Sequence, residues 1–228
     1  MAHAKEVNKK MVFSNELFDR FRREKLIWIS PEAVKYCTPA SWATDLNQHE
    51  ADRDHPHAYY NRGYFLEINR RGSLLAGDWD VPDLQFDALL EYNAINDHIL
   101  GYNRWSHSEF AKRLVRYISL GNAVHGYTEP QKYIIERERR LDHLVEGIAS
   151  EGVIPVKGHS ADKADQDDIS VNFARDGKVL FNNRGHHRLS IAKVLRLPTI
   201  PVQCVICHAE FFDYIHWFTP NKSSARRS

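Results

Sequence analysis

The chain has 228 residues, 43% of them hydrophobic and 27% charged, with a formal net charge of +1 at pH 7. That is enough apolar material for one sizeable core or two small ones, and too little net charge for whole-surface attraction to nucleic acid. No run of about 18 or more apolar residues exists, so no membrane span is expected.

The first residues, MAHAKEVNKK, lack an apolar signal core, and the three cysteines, Cys37, Cys204 and Cys207, are an odd number. Together these point to a reducing cytoplasm.

Leu17, Phe18 and Phe21 recur at helical spacing and predict a short amphipathic helix in residues 1–25. Leu26 to Ile29 reads as a strand that Pro31 ends. Residues 37–63 read as irregular. His49, Asp52, Asp54, His55 and His57 fit no metal-ligand spacing there and are taken as a solvated loop. Tyr64 to Ile68 alternates as a strand does. In GSLLAGDWD, residues 72–80, Asp78 and Asp80 straddle Trp79, so an extended backbone turns both carboxylates to one side. Two readings stay open. The pair holds Mg²⁺ or orients a catalytic base, or it caps a helix before Pro82 while Trp79 anchors the loop.

Helices follow at 83–100, at 106–121 behind a Ser106-His-Ser-Glu109 capping box, and from Pro130 to a stop at Gly152. The core face of the third is Ile134, Leu141, Val145 and Ile148. The mixed-sign run Glu136 to Arg140 reads as a solvated face. Residues 157–168 read as a polar loop, and 219–228 as a flexible tail. Expected strands are 26–29, 153–156, 169–174, 178–181 and 201–206. Cys204 and Cys207 lie three apart on the last, on opposite faces, and read as core packing. No metal site is expected.

Residues 169–206 are the most informative. Ile169, Val171 and Phe173 alternate, Asp176-Gly177 marks a tight turn, and Val179 to Phe181 returns. Asn182, Asn183, Arg184 and Gly185 then form a polar turn. From His187 the period becomes helical through Leu189, Ala192 and Leu195, until Pro198 and Pro201 stop it. A Gly-containing turn ahead of a helix leaves backbone N–H groups aimed at an anion, typically a phosphate. Arg184 and Arg188 flank it as bidentate clamps. The candidate ligand-binding set is therefore Asn183, Arg184, Gly185, His186, His187 and Arg188.

The residues Gly185, Arg188, Ala192 and Ile200-Pro201-Val202 resemble the turn, helix and strand signature of the ParB/sulfiredoxin superfamily. Leu144, Ile148, Gly152 and Pro155 resemble its preceding helix, and residues 25–34 its opening strand. The resemblance implies an α+β fold with a small mixed β-sheet in a single domain, 1–228. A largely helical stretch runs over 83–150, of which about 83–128 is an insertion, and the superfamily core occupies 129–210. His186 stands where sulfiredoxins carry their nucleophilic Cys, so that chemistry is not expected. ParB proteins have Gly-Glu-Arg-Arg where this chain has Gly185, His186, His187 and Arg188. The Gly-His-His-Arg wording is nearest to the nucleotide-dependent free-serine kinases, which usually have Asp where Arg184 stands.

The resemblance implies binding of a nucleotide (CTP, ATP or ADP, with Mg²⁺) or another phosphorylated small molecule. Phosphoryl transfer or nucleotide hydrolysis would follow, with His187, Asp78 and Asp80 as candidate catalytic groups. Of the two histidines, which stand about 100° apart around a helix axis, His187 is expected to face the phosphate turn and His186 a neighbouring strand. The alternative is a DNA-associated ParB-like partitioning or nuclease protein. The near-neutral charge weighs against it, as does the end of the chain about twenty residues after the last strand, with no room for a DNA-reading module.

Overall fold

The computed structural model describes residues 26–38, 73–82, 84–155, 168–182 and 184–212. The fold is α+β. The expected elements at 1–25, 64–68, 157–167 and 219–228, and the histidine-rich stretch at 49–57, lie outside the described residues.

Six strands form one mixed sheet: β1 (Ile27–Ile29), β2 (Val34–Cys37), β3 (Ser73–Leu75), β4 (Ile169–Phe173), β5 (Val179–Phe181) and β6 (Ile200–His208). Their order is β1-β6-β4-β5-β2. The nine-residue β6 is long enough to be flanked twice. β1 pairs antiparallel with its start at Ile200 to Val202, and β3 pairs parallel with its end at Ile206 to His208. β4 pairs parallel with β6 and antiparallel with β5, and β5 pairs parallel with β2. Helices α1 (Leu90–Ile99), α2 (Glu109–Ser119), α3 (Pro130–Glu151) and α4 (His186–Val194) accompany the sheet, and residues 209–212 are again helical.

The strand expected at 153–156 is corrected: residues 153–155 carry none, since Gly152 turns α3 out with φ 74° and the chain passes by without pairing. β2 and β3 were not expected as strands. Both are short edge segments that gain their hydrogen bonds from a neighbour remote in sequence, which a local pattern does not reveal. The capping residue of α2 is Ser108, whose Oγ accepts the Ala111 N–H at 3.1 Å, not Ser106. The chain takes a short 3₁₀ turn at Trp105–His107 first, because Trp105 is wholly buried.

One core joins helices and sheet. Phe86, Leu89, Ile95, Leu114, Leu141 and Ile148 from the helical stretch pack in one cluster with Val171, Phe181, Leu189 and Val202. A smaller cluster of Trp79, Ala174, Leu180, Val205 and Ile206 lies on the other sheet face. Alternation along β6 slips by one at Val205, since Val171 pairs with Cys204 but Asn172 with Ile206. This bulge corrects the reading of the two cysteines. With an extra residue between them, Cys204 and Cys207 share a face and pack with Leu74, Phe173, Phe211 and Phe212. Burial pushes both thiols up, Cys207 to about 12, as befits core packing. Asn172 occupies the gap at the bulge, its Oδ1 accepting the Ile206 N–H at 3.1 Å.

Candidate functional site

β4 and β5 deliver the turn into α4. Asn182 N donates to Ser170 O at 2.9 Å, Ser170 N to Arg184 O at 3.1 Å, and Arg184 N to Ser170 Oγ at 3.0 Å. The turn is thus laid along the first residues of β4. Gly185 then adopts φ 76°, ψ 22°, and a Cβ there would lie 2.6 Å from Ile169 Cα. Glycine is required twice over, for the left-handed backbone and for the close approach. Among the described residues no side chain caps α4, and its first turn contains no acidic residue. Its positive end is therefore not offset by a carboxylate of its own.

Arg188 leaves the first turn of α4 toward the start of β4. Its Nη1 lies 3.9 Å from Asp168 Oδ1, too far for a hydrogen bond, and is buried with no hydrogen-bond partner among the described residues. Arg184, four residues earlier, is half-buried, and Asn183 lies outside the described residues.

The histidines do not diverge as expected. Nε2 of His186 lies 2.5 Å from Glu91 Oε1, and Nε2 of His187 lies 2.7 Å from the same oxygen. The two rings are 4.1 Å apart, centroid to centroid. Neighbouring Cβ atoms on a helix are only ~5 Å apart despite the 100° offset, so two imidazoles close the gap by rotamer choice. Glu91 supplies the reason: its side chain has no solvent exposure, and a buried carboxylate needs donors. Burial pushes the Glu91 carboxyl up, but the two imidazoles outweigh it and hold the group well below the usual range.

A carboxylate oxygen only accepts, so both rings carry a proton on Nε2. Burial pushes His187 down to about 3, so its ring is neutral and Nδ1 holds a lone pair. Arg137 Nη2 sits 3.3 Å from that Nδ1 and 2.8 Å from Nε2. The run Glu136 to Arg140 is therefore not a plain solvated face. Besides Arg137, Glu136 accepts from Tyr127 Oη at 2.6 Å and Glu138 from Ser106 Oγ at 3.1 Å. Tyr133, one turn before Arg137 on α3, is 1% exposed, and its hydroxyl has no hydrogen-bond partner among the described residues. Burial raises it to about 12, so it is a phenol at any working pH.

Glu91, Arg137 and Tyr133 were missed by sequence reasoning, yet a signal existed. Glu91 shares a helical stripe with buried Ala94 and Ile95, and Arg137 falls midway between buried Tyr133 and Leu141. A charged residue on a core stripe marks a buried polar contact.

Asp78 and Asp80 lie elsewhere. Arg175, in the β4–β5 turn, donates from Nη2 to Asp80 Oδ1 at 2.7 Å and to Asp78 Oδ1 at 2.8 Å, while its backbone N–H meets Asp80 Oδ2 at 2.7 Å. This is the far end of the hairpin from Gly185, ~15 Å away by the rise of a five-residue strand. The structure brings Asp78 and Asp80 together with each other but not with the histidines. Neither caps a helix, and Trp79 between them is fully buried.

No family model matches the chain, and no curated protein or solved structure does so either. Among the described residues, no helix is long and apolar enough to cross a membrane.

Proposed function

We propose that the chain binds a nucleotide, or another phosphorylated small molecule, by seating a phosphate at the N-terminus of α4. The observation that carries this reading is the turn itself. A left-handed Gly185 that admits no Cβ feeds a helix with no side-chain cap among the described residues, with Arg184 before it and Arg188 in its first turn. Arg188 Nη1 is buried with no hydrogen bond among the described residues, and its ion pair with Asp168 is a long one at 3.9 Å. A phosphate oxygen would satisfy it with a charge-assisted bond. The resemblance to the ParB/sulfiredoxin superfamily supports the same ligand class at the same turn. The histidines then act from behind, fixing the first turn of α4 on Glu91 rather than touching the phosphate.

Calorimetry with CTP, ATP, ADP and GTP in Mg²⁺ tests it. Binding of one or more is expected, weakened by Arg188→Ala more than by Arg184→Ala. Losing one charge-assisted bond costs about 1.5–3 kcal/mol, roughly 10- to 150-fold in Kd. Following the same mixtures for phosphate release or transfer reads turnover. An absence of heat with all four nucleotides removes the reading. A salt-dependent shift of DNA would favour the DNA-associated alternative instead.

A further inference from the structure

Glu91, His186 and His187 each turn one ligand atom into a common space, and these atoms all lie within 4.8 Å of one another. We propose that the three form a binding site for a divalent transition-metal ion, Zn²⁺ or Fe²⁺, between α1 and the first turn of α4. The donor set decides the class of ion. Two imidazole nitrogens and one carboxylate oxygen suit borderline cations, whereas Mg²⁺ and Ca²⁺ take oxygen ligands.

The geometry needs little change. Metal–ligand bonds of ~2.0–2.1 Å at tetrahedral angles put ligand atoms ~3.3 Å apart. Nε2 of His186 and of His187 now stand 2.5 and 2.7 Å from Glu91 Oε1, held by the protons that an ion would displace. Small rotations of three side chains open the trio by the difference. Three protein ligands would leave a position for water, the pattern of a reactive rather than a closed structural site.

A separate observation points to a ligand here. The Tyr133 hydroxyl is buried, unpartnered among the described residues, and on the same stripe of α3 as Arg137, which touches His187. The fields of Arg137 and Glu91 both reach it. A metal-bound water beside the trio would give that hydroxyl its missing partner. Arg137 is the cation that sits on the His187 ring without the ion, and so it competes with the metal.

The test is titration of chelator-stripped, nucleotide-free protein with ZnCl₂ by calorimetry, and with CoCl₂ by absorbance. One equivalent is expected, with d–d bands of a low-symmetry nitrogen–oxygen site. Excess MgCl₂ should not displace it. Glu91→Gln and His187→Gln should each weaken Zn²⁺ by more than the ~10–100-fold typical of losing an outer partner. Arg137→Met should tighten it. The wild-type Co²⁺ spectrum and a ZnCl₂-dependent rise in melting temperature need no variant, so a misfolded variant does not void the test. Absence of stoichiometric metal, unchanged affinity in a folded Glu91→Gln protein, or displacement by Mg²⁺ overturns the proposal. Nucleotide is absent throughout, so the outcome is separate from that of the phosphate reading.

Discussion

A Cβ on Gly185 would stand 2.6 Å from the Cα of Ile169 and 2.9 Å from its backbone nitrogen. Both obstacles at Ile169 are main chain in the middle of the sheet, so neither swings aside as a flexible side chain would. Gly185→Ala meets this clash and must also hold φ near 76°. The left-handed backbone costs about 1–2 kcal/mol and overpacking about 1–3 kcal/mol. The variant should lose roughly 2–5 kcal/mol in urea unfolding. Stability within a few tenths of wild type would mean the turn is not seated on β4 as described.

Asn172 gives the second prediction. It is fully buried, donates from Nδ2 to Thr38 Oγ1 at 2.8 Å and Asn182 Oδ1 at 3.1 Å, and accepts from Ile206 N. One side chain therefore serves the bulge of β6 and the end of β2. Asn172→Leu, similar in branching, takes the acceptor from the Ile206 N–H in the core and removes the donor shared by Thr38 and Asn182. The orphaned N–H costs about 1–3 kcal/mol, so at least that much should disappear from the unfolding free energy. A stable Asn172→Leu protein would show that water takes over these groups.

The difference between Asn172 and Gly185 explains how much of this molecule was legible in its sequence. The hairpin, the turn and α4 follow from contiguous residues whose pattern and turn chemistry agree, and they stand within a residue or so of expectation. The same holds for the stop of α3 at Gly152. What was not legible depends on partners far along the chain. Glu91 lies 95 residues from His186, and Asp80 lies 95 residues from Arg175. The bulge at Val205 is invisible locally because nothing in QCVIC breaks the alternation; it is fixed by Asn172 on another strand. Asp78 and Asp80 do reach one group together, but from a turn rather than an extended backbone, with Asp80 buried and Asp78 exposed. What they hold is the hairpin arginine.

That arginine gives a pH prediction. Burial alone would raise Asp80, but the bonds from Arg175 and its backbone N–H overcome this and hold the carboxyl below its ordinary 3.8. A folded pKa below the unfolded one contributes stability that is complete above about pH 4 and is lost as pH falls through the folded value. Asp80→Asn should therefore destabilise at pH 7 and converge toward wild type in strong acid. The Arg175 side chain is 34% exposed, so solvent screens the pair and the loss at pH 7 is about 1–2 kcal/mol rather than the full value of a buried bridge. Urea unfolding at pH 7, 5, 4 and 3 checks it. A difference independent of pH would assign the effect to packing.

The last prediction separates a buried charge from its buried donors. In chelator, with no metal ion present, removing Glu91 and removing His187 are not equivalent changes. Glu91→Leu discharges the site and leaves two imidazole Nε2–H groups each short of the acceptor they share, at about 1–3 kcal/mol apiece, offset in part by apolar packing beside Ala94 and Ile95. His187→Ala keeps the carboxylate charged and buried, with one donor fewer. Depriving a buried ion of its partner typically costs about 3–5 kcal/mol. His187→Ala should therefore destabilise at least as much as Glu91→Leu, although it deletes the neutral partner. In the Glu91→Leu background the charge is gone, and His187→Ala should then cost much less than it does alone. The double-mutant cycle would show a coupling of roughly 1–3 kcal/mol. His186→Ala should behave alike, because its Nε2 meets the same oxygen. Additive losses would mean that the two histidines stabilise α4 by packing alone and that Glu91 is satisfied without them.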